Sequence, residues 1–317
     1  MNKKRWLWVA FTVVILALSI LILGLTHTTE GSRGILYRVT RGQAQMYLLG
    51  SIHVGSRDMY PFGEAIEQAM ASADTFVYEC DTTAPDALAK MKQQMMLAQG
   101  QTLLGTLGEA LYGQVTEVCR QQNISAEALD GLKPWAVINT FAVYTTAAEM
   151  GAANVNDALA LGVENQVQAY AKEYAKKAAY LEALQEQTDT LEGFSDGLQR
   201  YLLQSECDAI LHPDTVKGMD KTITSWPEWW RTGNAEAFAN RYLSTYLEPG
   251  YEAVCAEYHQ KLVTQRNIRM AERLSEMLES GGNWFVTVGL LHLALPEDSV
   301  VAILRQKGYR VELVGNP

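Results

Sequence analysis

Basic charge is scarce in this chain, and its scarcity narrows the possible roles. Lys and Arg number 26 against 36 Asp and Glu, a net −10. Beyond residue 30 the balance is 23 against 35, a net −12. Such an acidic body lacks the clustered cations that phosphate contacts require, which argues against a nucleic-acid partner. Cysteine is sparse as well. Cys80, Cys119, Cys207 and Cys255 are spaced too widely for a zinc-finger pattern, and spacing alone assigns them no disulfide pairing. Cys80 stands beside Glu79, where a small buried hydrophobe is the commoner use of a cysteine than a nucleophile. There is no low-complexity segment. Histidine, the side chain most often used for ligation and proton transfer near neutral pH, occurs only five times.

Charge is missing altogether from Trp6 to Leu25, directly after Lys3-Lys4-Arg5. Twenty uncharged residues suffice to cross a bilayer as a helix, and the basic flank predicts a cytoplasmic amino terminus. The far end, Leu23-Gly24-Leu25-Thr26-His27, has no Ala-x-Ala cleavage pattern, so the segment reads as a retained signal anchor rather than a cleaved peptide. The expected organisation is therefore an anchor over residues 1–30 and an extracytoplasmic domain over 31–317, tethered to the cell membrane through residues 6–25. With hydrophobic residues at 48% and charged residues at 20%, that body is able to bury a sizeable core.

Two of the five histidines are delivered by stretches of one design. Tyr47-Leu48-Leu49-Gly50-Ser51-Ile52-His53 and Phe285-Val286-Thr287-Val288-Gly289-Leu290-Leu291-His292 are each an apolar run ending in Gly with His three residues later. Such a run predicts a buried strand. The glycines Gly50 and Gly289 let the backbone leave it, which puts His53 and His292 just past strand carboxyl ends, where open α/β sheets bind ligands. A third strand, Thr75-Phe76-Val77-Tyr78, brings Glu79 to a comparable place. Two imidazoles and a carboxylate suggest a metal site with room for water. Glu79 is either the third ligand or the base that takes a proton from water.

The remaining elements follow the chain. Ile35–Thr40 and Ala44–Leu49 around Arg41-Gly42-Gln43 read as a hairpin. A helix near 63–72 then leads into the strand before Glu79, a β-α-β unit. From about 85 to 248 the texture turns helical, interrupted by a short strand Ala178–Leu181 ending at Glu182. This is the signature of a large helical cap inserted between the two strand–Gly-x-x-His units of an α/β core with a mixed sheet. Trp226, Trp229 and Trp230 crowd five residues, where core packing or interfacial anchoring is the expected use and a substrate wall the rarer one. Residues 251–280 read as one long helix stopped by Gly281-Gly282. Pro296-Glu297-Asp298 is expected to open the next helix. Arg266 and Asn267 are neighbours on the long helix, so at most one is expected to point squarely at the pocket. Ser51 has no evident His or Asp partner for a serine triad, which leaves hydrogen bonding to a ligand or water. Glu182 is equally a structural carboxylate or a pocket residue.

Taken in order, Gly50-Ser51-Ile52-His53, Glu79, Leu132-Lys133-Pro134-Trp135, Leu181-Glu182 with Glu186-Gln187, Trp230-Arg231-Thr232-Gly233-Asn234, Arg266-Asn267 with Met270-Ala271, and Val288-Gly289-Leu290-Leu291-His292-Leu293 resemble the TraB/PrgY/GumN family, which is related to the animal Tiki proteins. The likeness spans about residues 35–315. It implies a membrane-tethered or surface domain holding both Gly-x-x-His units in one pocket. For the Tiki branch it implies a divalent-metal peptidase using manganese or cobalt, with zinc also open, and a peptide or protein substrate. The family also implies a rival, a protein that captures a peptide signal without cutting it. Within the resemblance, Arg266 would stabilise an oxyanion or grip a carboxylate; taken alone it would read as a surface ion pair. Glu164 stands where many members have Asp, and the stretch 151–161 before it looks irregular.

Overall fold

The computed structural model describes residues 31–213, 226–245 and 247–315. The expected anchor over residues 6–25 lies outside them; among the described residues no helix is long and apolar enough to cross a membrane. Six strands form one mixed sheet: β1 (Leu36–Arg41), β2 (Ala44–Ser51), β3 (Thr75–Tyr78), β4 (Lys177–Tyr180), β5 (Asn283–Gly289) and β6 (Arg310–Leu313), in the order β4-β3-β5-β2-β1-β6. The β1–β2 hairpin closes through Gly42 at φ 60, the positive value that matches a tight turn to strand twist. β1 also pairs antiparallel with β6. The other four strands run parallel as neighbours, so their carboxyl ends share one rim.

Burial explains why the central strands are apolar runs rather than alternating ones. Leu48, Leu49, Phe76, Val77, Phe285, Val286 and Val288 are all fully buried, because helices cover both faces of a parallel block. On one face the Val163–Glu173 helix stacks Tyr170 on Phe76, ring centroids 6.0 Å apart. A second apolar core lies among the helices, joining Leu103, Val115, Val118, Phe141 and Leu203. The helical stretch 85–248 is not all of one kind: Val163, Val167, Trp230 and Phe238 belong to the sheet's core. The region read as irregular, 151–161, carries a short helix, Val155–Ala160, capped by Asn154.

Two helix readings change in the structure. The run 251–280 is continuous but holds a π-helical segment, His259–Thr264, between Glu252–Tyr258 and Gln265–Ser280. The last helix starts at Val300, not at Pro296, because Ser299 is its cap and accepts from the Ala302 amide. A side chain that bonds an orphan amide outranks a proline at the boundary.

In the helical layer Glu206 has no cationic hydrogen-bond partner among the described residues: Thr145 Oγ1 donates to its Oε2 at 2.6 Å. Burial pushes its carboxyl above the usual range, against the lowering by Thr145. A raised folded pKa makes an acid's contribution unfavourable once pH passes the unfolded value near 4.5 and increasingly so up to the folded one. Glu206→Gln is therefore expected to raise the melting temperature at pH 7 and to leave it nearly unchanged at pH 4. Thermal unfolding at the two pH values checks this.

Candidate active site

Along the shared rim the parallel strands deliver their side chains in spatial order: Glu182 after β4, Glu79 after β3, His292 after β5 and His53 after β2. Glu79, Glu182 and His292 are buried at 8, 5 and 5% exposure, whereas the His53 side chain is 72% exposed. The two Gly-x-x-His units are thus not equivalent. β2 and β5 pair with Ser51 opposite Gly289, so Gly50 and Gly289 are offset by one residue. After Gly289 the chain turns straight into the short helix Leu291–Ala294, which carries His292 inward. Each glycine has its own steric reason. A Cβ on Gly50 would lie 2.6 Å from Leu290 Cδ1. Gly289 admits the Glu79 carboxylate, whose Oε1 accepts its amide hydrogen at 2.6 Å.

Arg266 enters this centre from the Gln265–Ser280 helix. Its Nη2 donates to Glu79 Oε2 at 2.6 Å and, more closely, to Glu182 Oε1; its Nη1 faces His292 Nε2 at 3.1 Å. Gln187 Nε2 donates to both carboxylates, at 3.0 Å to Glu79 and 2.8 Å to Glu182. Asn267 also points inward, which corrects the expectation that only one of the pair would. Residues 266, 267, 270, 271, 274, 275 and 278 are all buried, a stripe wide enough for adjacent positions. Asn267 Nδ2 donates to the Asp298 carbonyl, so its Oδ1 is the atom turned to His292 Nδ1 at 2.6 Å. Nδ1 therefore carries the hydrogen, and the Nε2 lone pair faces the centre.

Burial works to raise the Glu79 pKa, but Arg266, His292 and His53 outweigh it and hold the carboxyl at about 2. Burial lowers His292 to about 4, so the ring is neutral near pH 7. Burial would also lower the Arg266 pKa; the two carboxylates more than compensate and raise it. His53 is raised, first by contact with Glu164, whose Oε2 lies 3.5 Å from its Nδ1. Glu164 sits in the first turn of the Val163–Glu173 helix, and no local pattern in the sequence pairs it with His53. Burial pushes the Cys80 thiol up to about 12, consistent with a packing role. Ser51 Oγ, Tyr78 Oη and Thr287 Oγ1 are buried without a hydrogen-bond partner among the described residues.

The donor set suits a divalent ion in kind: a neutral imidazole with its lone pair fixed inward, an ionised carboxylate and a second imidazole. His292 Nε2 and Glu79 Oε1, 3.9 Å apart, are close enough for both to reach one ion at about 2.1 Å each. What is missing is a third donor: among the described residues no three His, Cys, Asp or Glu side chains gather closely enough to hold an ion.

Two further glycines fix the His53 loop. A Cβ on Gly162 would fall 2.3 Å from the His53 carbonyl oxygen, and one on Gly55 2.1 Å from that of Leu161. Gly162→Ala is expected to cost about 1–3 kcal/mol by forcing the two backbones apart. Gly113, in the Glu109–Gln122 helix with nothing within 4 Å of its Cβ position, gives the contrast: Gly113→Ala should stabilise by about 0.8–1 kcal/mol. Urea unfolding of both variants checks the sign of each.

A mixed α/β sheet with a polar centre buried at the carboxyl ends of its parallel strands defines the class as a site-bearing α/β protein of the open-sheet kind. The chain belongs to the TraB/PrgY/gumN family, whose model matches residues 35–313. The metalloprotease TIKI2 of Danio rerio is 24% identical over 84% of this chain and 58% of its own length. The chain thus spans little more than half of that relative. YbaP of Escherichia coli K12 and YbaP of Shigella flexneri, both described as uncharacterized, are 24% identical over 80% of this chain and 85% of theirs. No solved structure matches significantly.

Proposed function

We propose that the chain is a hydrolase that cuts a peptide or protein substrate with the aid of a divalent metal ion. The observation that carries this reading is the buried Glu79–Arg266–His292 cluster, set at the rim of parallel strands beside an exposed His53. The likeness to a named metalloprotease supports the substrate class. His292 through Nε2, Glu79 and His53 would hold the ion, with manganese or cobalt favoured by the family and zinc also suited to the donors. When bound, such an ion acidifies water and polarises a carbonyl.

The protein's own groups supply the rest. Glu79, ionised at neutral pH, is able to hold the ion or accept a proton from the attacking water. Arg266, charged and desolvated, stabilises the oxyanion that forms on the carbonyl; losing such a donor typically costs ~10²–10³ in rate. Asn267 keeps His292 in one tautomer. The Ser51 hydroxyl, buried and without a partner among the described residues, would hydrogen-bond a water or a ligand group that reaches it.

The alternative, capture of a peptide without cleavage, is favoured by one feature: Glu79 and His292 already bond the protein's own donors. The test is a peptide-library digest read by mass spectrometry with manganese or cobalt, and with chelator. Chelator-sensitive products support the hydrolase; peptides retained but intact in every sample support the binding protein. The uncharged run 6–25 is proposed to tether the body outside the cytoplasm. Protease added to intact spheroplasts should digest that body, and a body protected until lysis would refute the topology.

A further inference from the structure

We propose that Arg266 is the resident cation of this centre, and that a divalent ion binds only by displacing its guanidinium from His292 and Glu79. The inference rests on the metal-site reading above and concerns how that site is opened. The argument turns on valence. A neutral imidazole has one lone pair in its plane, on the nitrogen without hydrogen. In His292 that nitrogen is Nε2, since Asn267 Oδ1 takes the Nδ1 hydrogen. Arg266 Nη1 stands at Nε2, 3.1 Å away, so the lone pair serves either the guanidinium or an ion, never both.

Glu79 is engaged in a comparable way. Its Oε2 accepts from Arg266 and from Gln187, and its Oε1 accepts the Gly289 amide. Charge adds to the exclusion, because a guanidinium and a divalent cation sharing two buried donors repel each other with little screening. Glu182 provides the place to which the guanidinium retreats. It takes Nη2 on Oε1 and Nε on Oε2, at 3.4 Å for the latter, contacts independent of Glu79 and His292. Arg266 thus stays paired when it yields the other two groups. This gives Glu182 a role distinct from ligation: it anchors the cation that competes with the ion.

Manganese titrations of the full-length chain, read by electron paramagnetic resonance of free Mn²⁺, test the idea without reference to activity. Arg266→Met should bind Mn²⁺ at least tenfold more tightly than wild type, and His292→Ala should bind it more weakly. Glu182→Gln, which leaves Arg266 only Glu79 and His292, should weaken binding in the wild-type background and have no such effect beside Arg266→Met. Should Arg266→Met fail to fold, Arg266→Lys replaces it: one ammonium is unable to span all three partners, and binding should tighten in the same direction. Equal or weaker binding in the Arg266 variants overturns the displacement while leaving the metal site standing. An absence of binding in wild type and every Arg266 variant overturns both.

Discussion

Glu79→Gln is expected to abolish peptide cleavage, by a factor of about 10³ or more, while the protein remains folded. The substitution keeps the shape of the side chain, removes its charge and turns one acceptor oxygen into a donor amide. A glutamine carbonyl still accepts the Gly289 amide that now bonds Oε1 at 2.6 Å. The new amide nitrogen then faces the Arg266 and Gln187 donors that Oε2 now accepts, and both of these keep Glu182 as an acceptor to turn to. The stability cost is that of weakening hydrogen bonds to a charged group, about 1.5–3 kcal/mol, less than the total stability of an ordinary domain. Chemistry has no such reserve. A neutral amide neither accepts a proton from water nor binds a dication as a carboxylate does, so both roles open to Glu79 fail together. Rates from the peptide digest and helical signal from circular dichroism are the paired readouts. A folded Glu79→Gln protein that retains a tenth of the wild-type rate would remove Glu79 from the reaction.

What the sequence makes legible here is what strands and burial dictate. The two apolar runs ending in Gly50 and Gly289 are the parallel neighbours β2 and β5, and β3 ends at Tyr78, directly before Glu79, as its β-type residues require. A strand buried on both faces has to be apolar throughout, and this is visible without coordinates. What the repeat of Gly-x-x-His hides is that its copies differ. Nothing within seven residues tells a buried His292 from an exposed His53; the difference arises because Leu290 packs over Gly50 and starts a short helix. The partner of His53 lies 111 positions on, at Glu164, brought there by the close approach of Gly55 and Gly162 to opposing backbone. Arg266 and Asn267 are adjacent in sequence and both inward, a consequence of a wide buried stripe that follows a π-helical segment. Local propensity carries no mark of such a segment, which is common at functional sites.

Trp230→Ala is expected to destabilise the protein by about 3–5 kcal/mol, a far larger loss than a substrate-wall residue would give. The Trp230 side chain is fully buried, and its indole Nε1 donates to the Gly50 carbonyl at 2.7 Å. Its ring packs beside Phe62, and its Cζ2 lies 3.4 Å from where a Cβ on Gly34 would stand. Alanine would leave a cavity among strands that are closely packed and unable to close around it. Trp230→Phe refines the test: it keeps most of the volume and deletes the hydrogen bond, at an expected cost of about 0.5–1.5 kcal/mol. Urea unfolding should therefore rank wild type above Trp230→Phe and Trp230→Ala last, with similar slopes. Because the bond ends on Gly50, three residues before His53, Trp230→Phe should also slow hydrolysis more than it weakens substrate binding. A raised KM with unaltered stability would instead place this tryptophan in the wall of the substrate site, and its position in the core would have to be given up.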